Sequence, residues 1–306
     1  MGSGPFGLPS FRHLLSHPDV SLSVVSQPDR PSGRGKKMTP TPVAAVTPSG
    51  VPLLKFPSVN APEALETLRK IGMDIMVVCD FGQILKQPVL DLPRLGPYNI
   101  HGSLLPAFRG AAPVQRAILD GAKSTGVTIL RVELRCDAGP IVSQTETQIA
   151  PDENYGSLHE RLSAMAVPLL EKFLDQIVAG RVPPSVPQDE SRATMAPKIR
   201  KEESRLSFDQ PAEEVLRRIR AFSPTPGAYA LLKGRRVKVL DACRADSECR
   251  TAPGVIGRTP DGKWLTVSCA HGELIRIETI QPEGGREMSA REFLNGNPDA
   301  IGAALN

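Results

Sequence analysis

The sequence predicts an α/β protein with a Rossmann-like, mainly parallel sheet, followed by a small OB-like β-barrel. Up to about residue 180, short apolar runs alternate with amphipathic helical patterns, which is typical of βαβ units. A stretch rich in proline and charge follows, and beyond it short strand-like runs recur at roughly 10–15-residue spacing, as in small barrels. We therefore predict a first domain at 1–180, a linker at 181–207 and a second domain at 208–306.

The elements of the first domain are predicted from their hydrophobic periodicity. Continuous or alternating apolar runs indicate strands, and apolar residues that recur every three or four positions indicate helices. Gly180 is the expected stop of the last helix. The predicted elements are a strand at 20–25, a helix at 61–71, strands at 74–79 and 98–101, a helix from Pro113, a hairpin of 126–134 with 141–149, and a helix at 154–179.

The second domain is predicted to begin with a helix and to continue as strands. Asp209 is placed to cap a helix that ends at Phe222. Ser289 and Glu292 have the spacing of a capping box that opens a last short helix. The strand-like runs between these helices are 228–232, 236–240, 254–256, 264–267 and 273–280.

Composition excludes several classes of protein. The 306 residues are 40% hydrophobic and 23% charged, which is enough apolar material for folded cores. No run approaches the ~18 apolar residues of a membrane span, and the first residues lack the pattern of a secretory signal. Five scattered cysteines without a C-x-x-C pair predict buried thiols in a reducing cytoplasm, not disulfides or a zinc site.

Three polar residues are the strongest candidates for chemistry. Asn99 and His101 lie two positions apart at the end of a predicted strand, and Asp137 lies in a tight turn before Gly139. Ligands of open α/β sheets bind beyond such strand ends. An amide donor, a group that titrates near neutrality and a carboxylate suit acyl transfer to an amine. Each residue taken alone also fits an ordinary structural role.

The sequence around these residues resembles a known family. Residues 99–113 read NIHGSLLPAFRGAAP, and this string resembles the signature of the formyltetrahydrofolate-dependent formyltransferases, in which Asn-x-His and Ser-Leu-Leu-Pro precede a later Asp-x-Gly. Further similar strings are QPDRPSGRGKK, KIRKEE, IRAFSPTPGAY and MSAREFLNG, so the resemblance covers nearly the whole chain. It points to the branch of the family that acts on methionyl-tRNA.

The resemblance implies a reaction and assigns residues to it. The formyl group of the co-substrate 10-formyltetrahydrofolate is transferred to the α-amino group of methionine on initiator tRNA, giving formylmethionyl-tRNA for translation initiation, and no metal is needed. Asp137 is expected to hold His101 in its useful tautomer. The implied catalytic residues are Asn99, His101 and Asp137, and the implied folate-binding residues are Ser103, Leu104, Leu105 and Pro106.

Basic residues are the candidates for tRNA contacts. The glycines and prolines of residues 27–37 predict a mobile loop without regular structure, and the resemblance implies that this loop grips the acceptor end of the tRNA. On charge alone the loop is equally an ordinary solvated connector. The candidate tRNA-binding residues are Arg30, Arg34, Lys36 and Lys37 in this loop, and Lys198 and Lys201 in the linker.

Two other functions remain open. A formyltransferase that acts on a small amine, either glycinamide ribonucleotide or an amino sugar nucleotide, would match only up to about residue 180. A catalytically inactive tRNA-binding relative would not need the intact polar trio. The basic loop and the second domain favour the tRNA substrate, and we expect a cytoplasmic monomer.

The start of the chain departs from the family pattern. Residues 1–6 align with the family's first glycine-containing turn, and relatives carry an apolar strand ahead of that turn. We therefore expect a start further upstream. Without that strand, two neighbouring strands would have unpaired edges and a slot between them.

Overall fold

The structure is a computed structural model that describes residues 1–33, 35–247, 249–259 and 261–306. It confirms the predicted mixed α/β fold. The chain forms two compact units, and neither unit is continuous in sequence. The first unit comprises Met1–Pro113, Ser124–Thr147 and His159–Ala196, and the second comprises Val114–Lys123, Gln148–Leu158 and Pro197–Asn306.

The predicted elements occur in the predicted order, and the structure adds short helices and strands that the sequence analysis did not predict. The strands are β1 (Val24–Ser26), β2 (Arg30–Ser32), β3 (Lys37–Thr39), β4 (Leu53–Lys55), β5 (Met76–Val78), β6 (Pro97–His101), β7 (Ser124–Arg131), β8 (Ile141–Gln148), β9 (Ala228–Leu232), β10 (Arg235–Arg244), β11 (Ile256–Arg258), β12 (Leu265–Ser268), β13 (Leu274–Pro282) and β14 (Met288–Ser289). The α-helices are α1 (Leu8–Ser16), α2 (Pro42–Val46), α3 (Pro62–Ile71), α4 (Gln87–Leu90), α5 (Pro113–Leu119), α6 (Tyr155–Val178), α7 (Ala212–Phe222) and α8 (Ala290–Gly296).

The sheet of the first unit positions the polar trio through strand β6. β5 and β6 are parallel, β7 pairs antiparallel to β6, and β8 lies beside β7. Side chains alternate along a strand, so Tyr98 and Ile100 face one side of β6 while Asn99 and His101 face the other. Tyr98 and Ile100 are almost fully buried. The apolar face therefore anchors the strand, and the opposite face presents the amide and the imidazole.

A gap divides the strands of the first unit. β1 and β4 form a parallel pair that is separate from the sheet β5-β6-β7-β8. Met1 and Gly2 lie between the two groups, where the amino group of Met1 donates to Val77 O at 2.6 Å and Gly2 N donates to Val25 O at 3.0 Å. A cavity of about 390 Å³, lined largely by apolar side chains, adjoins these residues.

The sheet of the second unit is antiparallel and curled. Its strand order is β11-β12-β13-β10-β9, with β14 on β13. Residues 304–305 bridge the two edge strands, since Leu305 pairs with Leu232 of β9 and Ala304 pairs with Val255 next to β11. The bridges bring the sheet round toward a barrel, in agreement with the predicted OB-like domain. Helix α7 buries its apolar face, which includes Phe222, in the same core as these strands.

The start of α7 departs from the prediction that Asp209 caps it. The residue before the helix is Pro211, and no side chain of that residue caps the helix. The carboxylate of Glu273 instead accepts the N–H of Ala212 at 2.7 Å. This acceptor lies directly before β13 and 61 positions after Ala212, so a search for local capping residues cannot find it.

The cysteines are less uniformly buried than predicted. All five are free thiols; Cys79 and Cys269 are buried, Cys243 and Cys249 are half-buried, and Cys136 is exposed in the turn that carries Asp137. The prediction of buried thiols is therefore wrong for Cys136, because that turn lies at the surface. Among the described helices, none combines the length and the apolar character needed to cross a membrane.

Candidate active site

The structure brings together Asn99, His101 and Asp137. Strand β6 carries the first two, and the turn between β7 and β8 carries the third. Asn99 Nδ2 donates to Asp137 Oδ1 at 3.1 Å, and His101 Nδ1 lies 3.6 Å from Asp137 Oδ2. The His101 side chain is only 6% exposed and that of Asp137 is 12% exposed. The carboxylate therefore lies closer to solvent than the imidazole.

A contact of His101 indicates which of its ring nitrogens carries a hydrogen. Its Nε2 lies 2.9 Å from Phe108 O. A carbonyl oxygen only accepts hydrogen bonds, so Nε2 carries a hydrogen. Nδ1 then faces the Asp137 carboxylate across 3.6 Å, which is longer than a direct hydrogen bond.

Two further donors hold the Asp137 carboxylate. Gly110 N donates to Oδ2 at 2.9 Å, and the Cys136 thiol lies 3.3 Å from the same oxygen. Partial desolvation, together with the neighbouring Asp137 charge, raises the pKa of Cys136 to about 11. The thiol is therefore protonated at neutral pH and can donate to the carboxylate.

Two glycines allow the close approaches that build this site. A Cβ on Gly110, which has φ of +124°, would lie 2.7 Å from Ala196 O. A Cβ on Gly139 would lie 1.9 Å from Arg131 O. Any larger residue at either position has to push backbone aside, so the loop after β6 and the turn after β7 both depend on glycine.

The predicted folate-binding residues form a loop that is held in place by hydrogen bonds of its buried residues. Ser103 is fully buried, and its hydroxyl donates to Ala107 O at 2.7 Å. Leu105 is also buried, and its N–H donates to Thr128 Oγ1 at 3.2 Å. Leu104 and Pro106 are partly exposed. Within this loop, these two side chains can offer apolar surface to a ligand.

The basic segment near the start of the chain is not the irregular loop that the sequence predicts. β2 and β3 pair antiparallel across it, with Arg30 opposite Thr39 and Ser32 opposite Lys37. Proline is tolerated because each strand of a two-stranded ribbon is an edge. The positive φ of Lys36, 47°, helps to close the turn.

The candidate cations are exposed. Arg30, Lys36 and Lys37 lie on the hairpin in the first unit, where the Arg30 guanidinium donates to Gln27 Oε1 at 2.6 Å. Arg34 lies outside the described residues. Lys198 and Lys201 belong to the second unit, and Lys201 opens a short 3-10 turn.

Sequence reasoning missed Arg109 and Gln188. Arg109 is 3% exposed, and its guanidinium bonds Gln188 and Glu190 from the stretch predicted to be a linker. No local pattern marks these partners, because about 80 residues separate them in sequence. The arginine in the string RGAAP was the only available signal.

Comparison with known proteins identifies the family. Residues 14–173 match the family described as Formyl transferase, and residues 198–298 match the Formyl transferase C-terminal domain. The chain belongs to the formyl transferase family. A methionyl-tRNA formyltransferase of Methylococcus capsulatus is 42% identical over 296 residues, covering 96% of this chain and 94% of that protein. A methionyl-tRNA formyltransferase of Myxococcus xanthus is 41% identical over 306 residues, covering 99% and 96%.

Solved structures of formyltransferases share the fold. WlaRD, a sugar 3N-formyl transferase, matches with a TM-score of 0.65 and 17% identity, covering 90% of this chain and 94% of its own. HypX from Aquifex aeolicus in complex with tetrahydrofolic acid matches with a TM-score of 0.63 and 17% identity, covering 92% of this chain and 48% of its own. At these identities the likeness establishes the architecture alone. Within the described ranges, no three His, Cys, Asp or Glu side chains cluster as they would around a metal ion.

Proposed function

We propose that this formyltransferase transfers the formyl group of 10-formyltetrahydrofolate to the α-amino group of methionine on initiator tRNA. The product is formylmethionyl-tRNA, which begins protein synthesis. The main observation is the convergence of Asn99, His101 and Asp137 at one point of a chain that aligns over nearly its full length with methionyl-tRNA formyltransferases. We further propose that the enzyme works in the cytoplasm as a monomer.

Asn99 is suited to stabilise the oxygen of the reacting formyl group. When the amine attacks the formyl carbon, this oxygen gains negative charge and needs hydrogen-bond donors. One amide hydrogen of Asn99 goes to Asp137, and its second has no partner among the described residues. A donor of this kind contributes about 3 kcal/mol to the transition state.

Asp137 is the better-placed acceptor for the amine proton. Both nitrogens of His101 face oxygen atoms, Phe108 O and Asp137 Oδ2, and its ring is the more deeply buried of the two side chains. Asp137, which is nearer to solvent, can take the proton as the amine adds.

The residues present fit a folate. The loop 103–106 starts two residues after His101 and exposes Leu104 and Pro106, which suit the apolar face of a flat ring system. When bound, the folate supplies the formyl group and the nitrogen that leaves. The buried bonds of Ser103 and Leu105 keep this loop rigid, so that the formyl carbon can be held close to the trio.

The exposed cations fit a tRNA. Lys36 and Lys37 on the hairpin, and Lys198 and Lys201 in the second unit, can each neutralise phosphate charge. Binding through such contacts releases counterions, so the affinity must fall as salt rises.

The direct test is a formylation assay with defined acceptors. The purified protein is mixed with 10-formyltetrahydrofolate and methionyl initiator tRNA, and acid gels separate the formylated product. We expect the initiator to be formylated faster than methionyl elongator tRNA. Asp137→Ala should abolish formylation and leave tRNA affinity near normal, while Asp120→Ala, a change of an exposed carboxylate, serves as the matched control.

Two other outcomes would replace this function. Formylation of glycinamide ribonucleotide or an amino sugar nucleotide, with no formylation of tRNA, would identify a small-amine enzyme. Tight tRNA binding without formylation of any acceptor would identify a binding protein that has lost catalysis.

A further inference from the structure

Residues 186–196, here called the strap, bond two segments of the site. One is the turn that carries Asp137, and the other is the loop after β6, whose Gly110 N–H bonds the Asp137 carboxylate. Val186 and Ile141 exchange two backbone hydrogen bonds of 2.8 Å just beyond the Asp137 turn. The strap belongs to the first unit, as does that turn. One end of the strap is therefore fixed to the start of β8.

The other end of the strap is fixed to the loop after β6. Arg109 N donates to Thr194 O at 2.9 Å, and Ala196 N donates to Arg109 O at 2.6 Å. Phe108 N donates to the Thr194 hydroxyl at 2.8 Å. These bonds hold the backbone on both sides of Phe108, whose carbonyl accepts the His101 hydrogen bond.

Gln188 lies in the strap between these two anchors and bonds the Asp137 turn directly. Its Nε2 donates to Asp137 O at 2.8 Å and to Gly139 O at 2.7 Å. Both hydrogens of the amide are thereby placed on the two carbonyls of the turn. The backbone of the turn that carries Asp137 cannot move away from the strap without breaking these bonds.

Arg109 orients Gln188. Its Nε and Nη2 donate to Gln188 Oε1 at 3.0 and 2.8 Å, and its other contacts are to the Glu190 carboxylate at 2.9 and 3.2 Å. Hydrogen bonds from Arg109 and Arg135 lower the pKa of Glu190 to about 2, so Glu190 is charged at neutral pH. A buried guanidinium needs such a partner.

We propose that Gln188 and Arg109 are positioning residues that set the Asp137 carboxylate against Asn99 and His101. The strap joins the Asp137 turn to the loop whose Gly110 N–H holds Asp137 Oδ2. Displacement of a reacting group by about 1 Å is enough to cost on the order of 100-fold in rate. This inference rests on the proposed formyl transfer and assigns two further residues to the same site.

The test separates positioning from simple structural support. Gln188→Leu removes both donors and the acceptor at similar volume. Gln188→Glu keeps an acceptor for Arg109 and removes the donors to the turn. For both variants we expect kcat to fall by about 10- to 100-fold, KM for both substrates to stay within about 2-fold, and the pH profile of kcat to shift. If the role of Gln188 were only to partner Arg109, the Gln188→Glu variant would keep wild-type kcat.

The matched control is Gln281→Leu in the second unit. Gln281 Nε2 also donates to a backbone carbonyl, that of Gly285 at 3.3 Å, so the control loses a similar bond away from the trio. Wild-type kcat in Gln188→Glu, or a rise in KM alone, would overturn the inference. If Gln188→Leu fails to fold, Gln188→Glu decides the question. Absence of formylation by the wild-type protein would instead refute the proposed function.

Discussion

The ion pair of Arg116 and Glu203 makes a quantitative prediction for the second unit. Arg116 Nη1 and Nη2 donate to the two Glu203 oxygens at 2.7 and 3.1 Å, and both side chains are no more than 20% exposed. These hydrogen bonds from Arg116 lower the pKa of Glu203 from 4.5 to about 2. A carboxylate whose pKa is lower in the folded state stabilises that state above its unfolded pKa and loses this contribution as pH falls.

The size of the effect follows from the pKa difference. At about 1.4 kcal/mol per pKa unit, the change from 4.5 to about 2 is at most about 3 kcal/mol. The carboxylate retains some solvent, so we expect Glu203→Gln to lower the free energy of unfolding by about 2 kcal/mol at pH 7. Less than half of this difference should remain at about pH 3.

The assay uses the single tryptophan of the chain. Trp264 lies in the second unit with the Arg276 guanidinium 4.8 Å from its ring centre, so its fluorescence reports unfolding of that unit in urea. Glu213→Gln is the matched control, because Glu213 pairs with Arg217 and Arg220 while 48% exposed, and should change stability by less than about 0.5 kcal/mol. A Glu203→Gln effect that is the same at pH 7 and at about pH 3 would refute the reasoning.

Three further predictions concern the site, the hairpin and the second sheet. Gly110→Ala should lower kcat by about 10-fold and destabilise the first unit by about 2 kcal/mol, because its Cβ would meet Ala196 O at 2.7 Å; unchanged kinetics and melting would contradict this. Changing Lys36 and Lys37 together to alanine should reduce the slope of log affinity for tRNA against log salt by about 1–2, and an unchanged slope in filter binding would exclude phosphate contacts. Deleting residues 304–306 removes the bridges to both edge strands and should lower the urea midpoint followed by Trp264 fluorescence, whereas an unchanged midpoint would show that the bridges contribute nothing.

The face of strand β6 could be predicted from sequence because it depends on local alternation. Tyr98 and Ile100 are apolar and become buried, which leaves Asn99 and His101 on the opposite side. The approach of Asp137 to these two residues required the family resemblance. Nothing in the spacing of residues 101 and 137 fixes how the hairpin folds back.

Contacts distant in sequence account for most of what was missed. The Glu273 carboxylate at the start of α7, and the bonds of Gln188 to the Asp137 turn, join residues that are more than 45 positions apart. Their side chains are common in loops and carry no local pattern. The proton on His101 Nε2 is also set by a backbone carbonyl, that of Phe108, which only the folded loop places there.

The hairpin around Lys36 shows that proline and glycine in a segment do not always exclude a strand. Pro31 pairs with Met38 in a ribbon of two edge strands, where a missing N–H does no harm. The same residues that suggest an irregular loop therefore permit a short hairpin.

The interrupted course of the chain has a consequence for genetic dissection. Residues 114–123 and 148–158 belong with the second unit, where Arg116 bonds Glu203 and Gly156 N bonds Ser223 O, although segments of the first unit surround them in sequence. An N-terminal fragment that ends near residue 180 would keep these two stretches but lose residues 197–306, against which they pack. Expression of either half alone should give an insoluble or loosely packed product, and exchange of the second unit between relatives would have to transplant three pieces together.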